Sequence, residues 1–400
     1  MEGSRLADNK YFRYYFYFVL AEIFLMGSGE NLPIVGYFTV RIFNYMVGLL
    51  ISFYLFLRGD DFPKVILGFM LGFIVTTIVS YMMAVIQDSD PEYLMADMKQ
   101  LCYFLILLYF YYAVSNALMM KRLVDILLIC VGTMALLYLL YMTITDVLGL
   151  ISMKGYYYHV LDDSGSFMFR GIGSSLFYKG FVYLPIGALG FFWRRQWGWF
   201  AVCVLAVYFT YTRGLYLLLA FGLLVFYLRT REISVVKLVG LVLVILLLYE
   251  LAEVFGIFSF DQTFLANREE SDTVRMVTFE QVMDRITWWS LWIGHGFGQG
   301  VPERAYHMEV SYMDIFHHQG IMGLVFWFAV LAAILRYGFS VPRQHREEST
   351  FFMTAAMMIY LQSCFNPYLN NSIGMSMVLL SFAVVYRLSQ DEHFTSRSPL

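Results

Sequence analysis

The residues best equipped for chemistry lie in one run, HMEVSYMDIFHHQGIMGL, from His307 to Leu324. It places His307, Glu309, Ser311, Asp314, His317, His318 and Gln319 in a stretch otherwise apolar enough to enter a membrane. So many polar groups would be costly in hydrocarbon, which predicts that this part lines a water-filled cavity. A carboxylate or an imidazole here could take the proton of an attacking hydroxyl, ordinary general-base work. On a continuous helix His307, Ser311, Asp314 and His318 share one face, and Glu309, Met313, Phe316 and Gly320 share another. His307 and Glu309 can therefore address one substrate only if the helix begins after His307. A metal site through Asp314, His317 and His318 is a weaker use of the same run. Adjacent histidines diverge by about 100° on a helix, and no second ligand cluster accompanies them.

Three arginines form a second group. Arg170 opens RGIGSSLFYKG, which also holds Lys179, and Arg213 sits in TYTRG. Arg275 lies in TVRMVTFEQVMDRITWW, where Met276, Phe279, Met283 and Ile286 recur at helical spacing. That spacing predicts an amphipathic helix on the membrane surface, capped by Ser271 or Asp272, with Arg275 in its first turn. A cation there opposes the helix macrodipole, whereas an anion would be held by the free N–H groups and the guanidinium together. The chemistry this allows is a diphosphate site at Arg275, assisted by Arg213 and Arg170. The plainer use of each arginine is as a snorkelling interface residue or an ion-pair partner. Asp314, Arg285, Lys179 and Tyr312 are secondary candidates.

A membrane-embedded helical frame must position these groups. Of 400 residues, 60% are hydrophobic and 14% charged, against about 25% charged in a soluble domain. Aromatic residues make up 19%, as expected where Trp and Tyr line membrane interfaces. Long apolar runs predict an all-α polytopic integral membrane protein with about twelve transmembrane helices. They lie near residues 11–27, 42–57, 65–86, 100–118, 123–145, 179–193, 198–212, 214–229, 234–250, 310–335, 350–365 and 372–387. The short alternating segments of a barrel are absent from the sequence. The first run follows a polar start without a small-residue cleavage site and reads as a retained span.

Lys and Arg collect in alternate loops, which predicts both termini on the cytoplasmic side. Two opposite loops are long, 146–178 and 251–309, the second between the ninth and tenth spans. Arg170, Arg213 and Arg275 all fall on that outer face, where cations are disfavoured unless they have work to do. The chain 1–400 reads as a single transmembrane domain. Cys102, Cys130, Cys203 and Cys364 fall inside spans and read as small apolar residues. A net charge of −3 gives no reason to expect nucleic acid, and no cofactor is implied. The glycines of IGHGFGQG follow no predicted strand and serve a sharp turn rather than a nucleotide. Glu22, inside the first span, reads as a hydrogen-bonding group within the bundle.

In these motifs and their order, the chain from about residue 165 to 335 resembles the O-antigen polymerase (Wzy-type) and O-antigen ligase superfamily of bacterial membrane glycosyltransferases. TYTRG resembles the family's Ser-Arg-Gly turn, placing Arg213 at its arginine. RMVTFEQVM followed by WIGHGFG resembles the stretch with the second arginine, which falls on Arg275 rather than Arg285. QGIMGL resembles the Gly-Ile-Ile-Gly-Leu close, and RGIGSS the outer-loop arginine motif. Ligases typically carry His-Asn ahead of that close. This chain has Glu309 at that point and His307 two residues earlier, which looks more like the polymerase branch.

The resemblance implies an inverting, metal-independent transfer at the periplasmic face of the inner membrane, within lipopolysaccharide biosynthesis. Arg275 and Arg213 would hold the diphosphate of an undecaprenyl-diphosphate-linked oligosaccharide and Glu309 would activate the acceptor, with Arg170 and His307 in support. Membrane lipid and a chain-length regulator protein are the further expected partners. A ligase passing glycan to lipid A–core is the nearest rival. A flippase is more distant, because transporters show inverted repeats and mid-membrane sites, whereas the polar groups here lie in outer loops and outer helix halves.

Overall fold

A computed structural model describes residues 9–27, 32–35, 38–58, 63–150, 167–169, 174–230, 262–305 and 307–390. The chain is mostly helical. In order come α1 (Lys10–Leu25), α2 (Val40–Leu57), α3 (Lys64–Ile86), α4 (Pro91–Cys102), α5 (Leu107–Ala113), α6 (Ala117–Met142), α7 (Tyr183–Trp193), α8 (Trp197–Phe209) and α9 (Arg213–Thr230). Then follow α10 (Gln262–Asp284), α11 (Ser290–Ile293), α12 (Ser311–Ser340), α13 (Arg346–Gln362) and α14 (Ser372–Ser389). Several begin where a short polar side chain accepts an orphan N–H: Asn9 for α1, Thr39 for α2, Asp90 for α4, Asn116 for α6 and Asn371 for α14. Two small antiparallel pairs, Pro33–Val35 with Phe38–Thr39 and Phe167–Phe169 with Leu176–Tyr178, are the strands among the described residues.

Seven stretches among the described residues are long and apolar enough to cross a membrane: α2, α3, Pro91–Ala113, Ala117–Val147, α9, α12 and α14. Four other expected spans are helices as well, but shorter. They are α1 with 16 residues, α7 with 11, α8 with 13 and α13 with 17. The ninth expected span, 234–250, lies outside the described residues.

The arrangement of side chains suits lipid. On α2 the inward positions are Arg41, Asn44, Gly48, Ser52 and Leu55, while Leu50, Phe53 and Leu57 are exposed. On α3 Thr76, Thr77 and Ser80 point in, and Val75, Ile78 and Met82 point out. Small and polar residues let helices approach and bond, and the apolar faces are left for a hydrocarbon surround. At the centre α14 is buried almost all round and packs against α5, α12 and α13, as a helix apolar on every side must. Glu22 of α1 meets Arg41 of α2 in a buried pair, Nε to Oε1 2.9 Å. Arg41 also donates to the Gly27 carbonyl and to Ser372 Oγ. Glu22 thus has the structural role its position suggested.

The surface helix differs from its expected form. α10 starts at Gln262, well ahead of Ser271 and Asp272, so neither caps it and Arg275 sits several turns inside. The helix ends at Asp284, which leaves Ile286 beyond it. The premise of a diphosphate site at this helix's N-terminus therefore fails. Arg275 has no free helical N–H groups beside it, and any anion it holds must be held by side chains.

Candidate functional site

The segment from α10 to α12 is positioned by a glycine loop and a kink. At Gly320 the α12 backbone leaves the helical region (φ 62°, ψ −159°), which frees carbonyls on the preceding turn. The loop supplies their donors. His295 N–H donates to the His317 carbonyl (2.7 Å), and Gly296 N–H and Ser80 Oγ donate to that of His318 (3.1 and 3.2 Å). This docking is so close that a Cβ on Gly296 (φ 91°) would lie 2.3 Å from the Ala84 backbone nitrogen of α3. A Cβ on Gly320 would lie 2.4 Å from the Trp292 carbonyl carbon. After the loop, Val301 and Arg304 exchange backbone hydrogen bonds in a tight turn. The chain then runs through His307 and Glu309 to α12, which begins only at Ser311.

Because the helix starts after them, His307 and Glu309 are free of the helical constraint, and they go different ways. Glu309 bridges two arginines: Arg275 Nε to Oε2 at 2.8 Å and Arg304 Nη2 to Oε1 at 2.5 Å. All three side chains are about a third exposed (33, 32 and 38% for Arg275, Glu309 and Arg304). Beside them opens a cavity of about 540 Å³, with Arg275 in its lining. Its walls are apolar, among them Met276, Phe279, Met283, Met313 and Phe316. Tyr312 completes a side, its hydroxyl donating to the Tyr360 carbonyl (2.7 Å) and its ring stacked on Phe328.

His307 belongs to a second, deeper group. Its Nδ1 lies 3.1 Å from Asp97 Oδ1 of α4, and its Nε2 lies 3.2 Å from the Gln100 amide nitrogen. With Nδ1–H donated to Asp97, the Nε2 lone pair accepts from Gln100. Asp97 Oδ2 accepts the Gly298 N–H (2.7 Å) and faces His318 Nε2 at 3.5 Å. On its other side His318 Nδ1 lies 3.6 Å from Asp314 Oδ2, which accepts from Asn370 Nδ2 at 2.6 Å. Asp314 Oδ1 accepts the Met308 N–H (3.1 Å). Asp314 and His318 therefore fix the segment before α12, while His317 turns the other way to lie against His295, the rings tilted by 37° with centroids 4.8 Å apart. Among the described residues, no group of three or more His, Cys, Asp or Glu side chains is arranged to hold a metal ion.

The remaining candidates do not join the Glu309 group. Arg213 is exposed at the first turn of α9, and no contact brings it to Arg275. Arg285, just past α10, donates to the Gly300 carbonyl, a loop-fixing contact. Lys179 contributes its carbonyl to the Tyr368 hydroxyl (3.0 Å) beneath α7. Arg170 lies outside the described residues. Two residues that sequence reasoning passed over are central to the geometry. Arg304 is one more cation in the long loop 251–309, and the rule that singled out Arg275 applies to it equally. Asp97 stands in the acidic stretch QDSDPEYLMADMK, where nothing in the spacing announces a partner on α12.

No protein-family model matches the chain. Compared with curated proteins, it is 23% identical over 248 residues to a protein named O-antigen polymerase from Shigella flexneri. The chain is similar to an O-antigen polymerase. The match covers 61% of this chain and 60% of the length of that protein. It agrees with the family resemblance carried by TYTRG, RMVTFEQVM, WIGHGFG and QGIMGL.

Proposed function

We propose that the chain is a polysaccharide polymerase that moves a growing undecaprenyl-diphosphate-linked glycan onto the next lipid-linked repeat unit at the periplasmic face of a bacterial inner membrane. The observation that carries this reading is the cavity with Arg275 in its lining and Arg304 and Glu309 paired beside it. Apolar walls next to paired guanidiniums match a ligand that is both a lipid and a diphosphate. In the reaction the acceptor hydroxyl attacks the anomeric carbon of the glycan from the face opposite the diphosphate. The bond from that carbon to the diphosphate oxygen breaks, and its electron pair leaves with the lipid diphosphate. The hydroxyl proton passes to Glu309, and the configuration inverts. Fixed cations stabilise the departing charge by preorganisation, so this chemistry needs no metal ion. In this reading Arg213 also serves the diphosphate, with Arg170 in support, and a chain-length regulator and membrane lipid are the partners.

One observation favours the ligase reading instead. His307, oriented by Asp97, is built as a carboxylate-held imidazole, a common form of general base. In cells that make this glycan, Arg275→Ala is expected to remove long chains while the protein accumulates normally. Normal chain length in that variant would sink the assignment.

A further inference from the structure

In the structure the place between Arg275 and Arg304 is already taken. Each oxygen of the Glu309 carboxylate receives one guanidinium, and the two guanidiniums come from different segments, α10 and the turn at Val301–Arg304. The recess formed by Val274, Arg275, Thr278, Arg304, Glu309 and Met313 has no room for a water-sized body. A phosphate group offers the same pair of acceptors with more charge, so it is the natural competitor for both guanidiniums. Glu309 stands on the non-helical segment ahead of α12, where a rotamer change leaves the helix undisturbed.

We infer that Glu309 is an internal stand-in for the substrate's diphosphate, and that donor binding displaces it. The inference rests on the reading of Arg275 as a diphosphate-holding residue, and it adds Arg304 as the second arm. The consequence is an order of events. Without donor, both oxygens of Glu309 are engaged by cations and the carboxylate does not activate a stray hydroxyl or water. When the diphosphate takes the two guanidiniums, the carboxylate is released beside the glycan, ready for the acceptor's proton. The binding step itself prepares the base.

The test is titration of the purified full-length protein in detergent with inorganic pyrophosphate, followed by calorimetry, with thermal unfolding of every variant as a check on folding. A self-occupied site binds more weakly, its affinity scaled down by the fraction of time the site is free. Glu309→Gln, which keeps the shape and loses the charge, should therefore bind pyrophosphate about fivefold or more tightly than the wild type. Glu309→Asp, one methylene too short to reach both guanidiniums, should also bind more tightly. Arg275→Ala and Arg304→Ala should each weaken binding. Equal affinity of the wild type and both Glu309 variants, with binding still lost in Arg275→Ala, would overturn the displacement and leave the diphosphate reading standing. If neither arginine variant weakens binding, or no form binds pyrophosphate, the diphosphate reading fails and the inference falls with it.

Discussion

His295 is a single residue on which burial and charge act together. Its imidazole is buried in the glycine loop and lies near Arg285, so burial first, and the guanidinium second, push its pKa below the usual 6.5. A histidine that resists protonation in the folded protein binds fewer protons than in the unfolded chain. Its contribution to stability is intact above about pH 6.5 and is lost as pH falls towards the depressed folded value. Between about pH 7.5 and 5.5 the wild-type unfolding midpoint should fall more steeply than that of His295→Asn, which cannot titrate. Parallel slopes would show that the loop does not sense this proton. At the same scale, the sequence told only part of the story. Arg275 and Glu309 were legible as candidates because a cation in a loop expected on the outer face and an acid at a span's edge are conspicuous by type. Their pairing was not legible, because it joins residues 34 apart across a turn. Asp97 reaches the Gly298 N–H across 201 residues, and no local spacing encodes that contact.

The helices were legible as elements wherever long apolar runs end at short polar caps, and most expected spans coincide with helices. The start of α10 was not, because NREESD ahead of Thr273 has no apolar stripe and reads as loop. The kink at Gly320 was hidden for a different reason. It exists because the glycine loop docks there, and the loop and the kink make sense only together. Gly296→Ala is the direct test of that docking, since the new methyl would meet the Ala84 backbone and the residue would keep a left-handed φ. A loss of about 2–4 kcal/mol is expected, read as a lower unfolding midpoint in detergent. Gly68→Ala, on α3 with open space around it, is the control. It should be neutral or up to about 1 kcal/mol stabilising. Equal effects from the two substitutions would mean that the loop is not wedged against α3.

For the whole molecule, the proposal needs the Glu309 group on the outer side and the α12–α13 turn on the cytoplasmic side. Cys364 is exposed, so Cys364→Ser gives the background for a thiol-accessibility test. In intact cells opened only at the outer membrane, Glu303→Cys should react with a membrane-impermeant maleimide, and Arg343→Cys should react only after lysis. The reverse pattern would turn the molecule over and remove the site from the periplasm. The central proposal, that this protein joins lipid-linked glycans, rests on the cavity beside Arg275. The most direct measurement is reconstitution of the purified protein with an undecaprenyl-diphosphate-linked repeat unit and nothing else, with the products resolved on a gel. The account predicts a ladder of longer lipid-linked glycans from the wild type and none from Arg275→Ala. No ladder from an authentic repeat unit would contradict it, and a single transferred product appearing only when lipid A–core is added would make the protein a ligase.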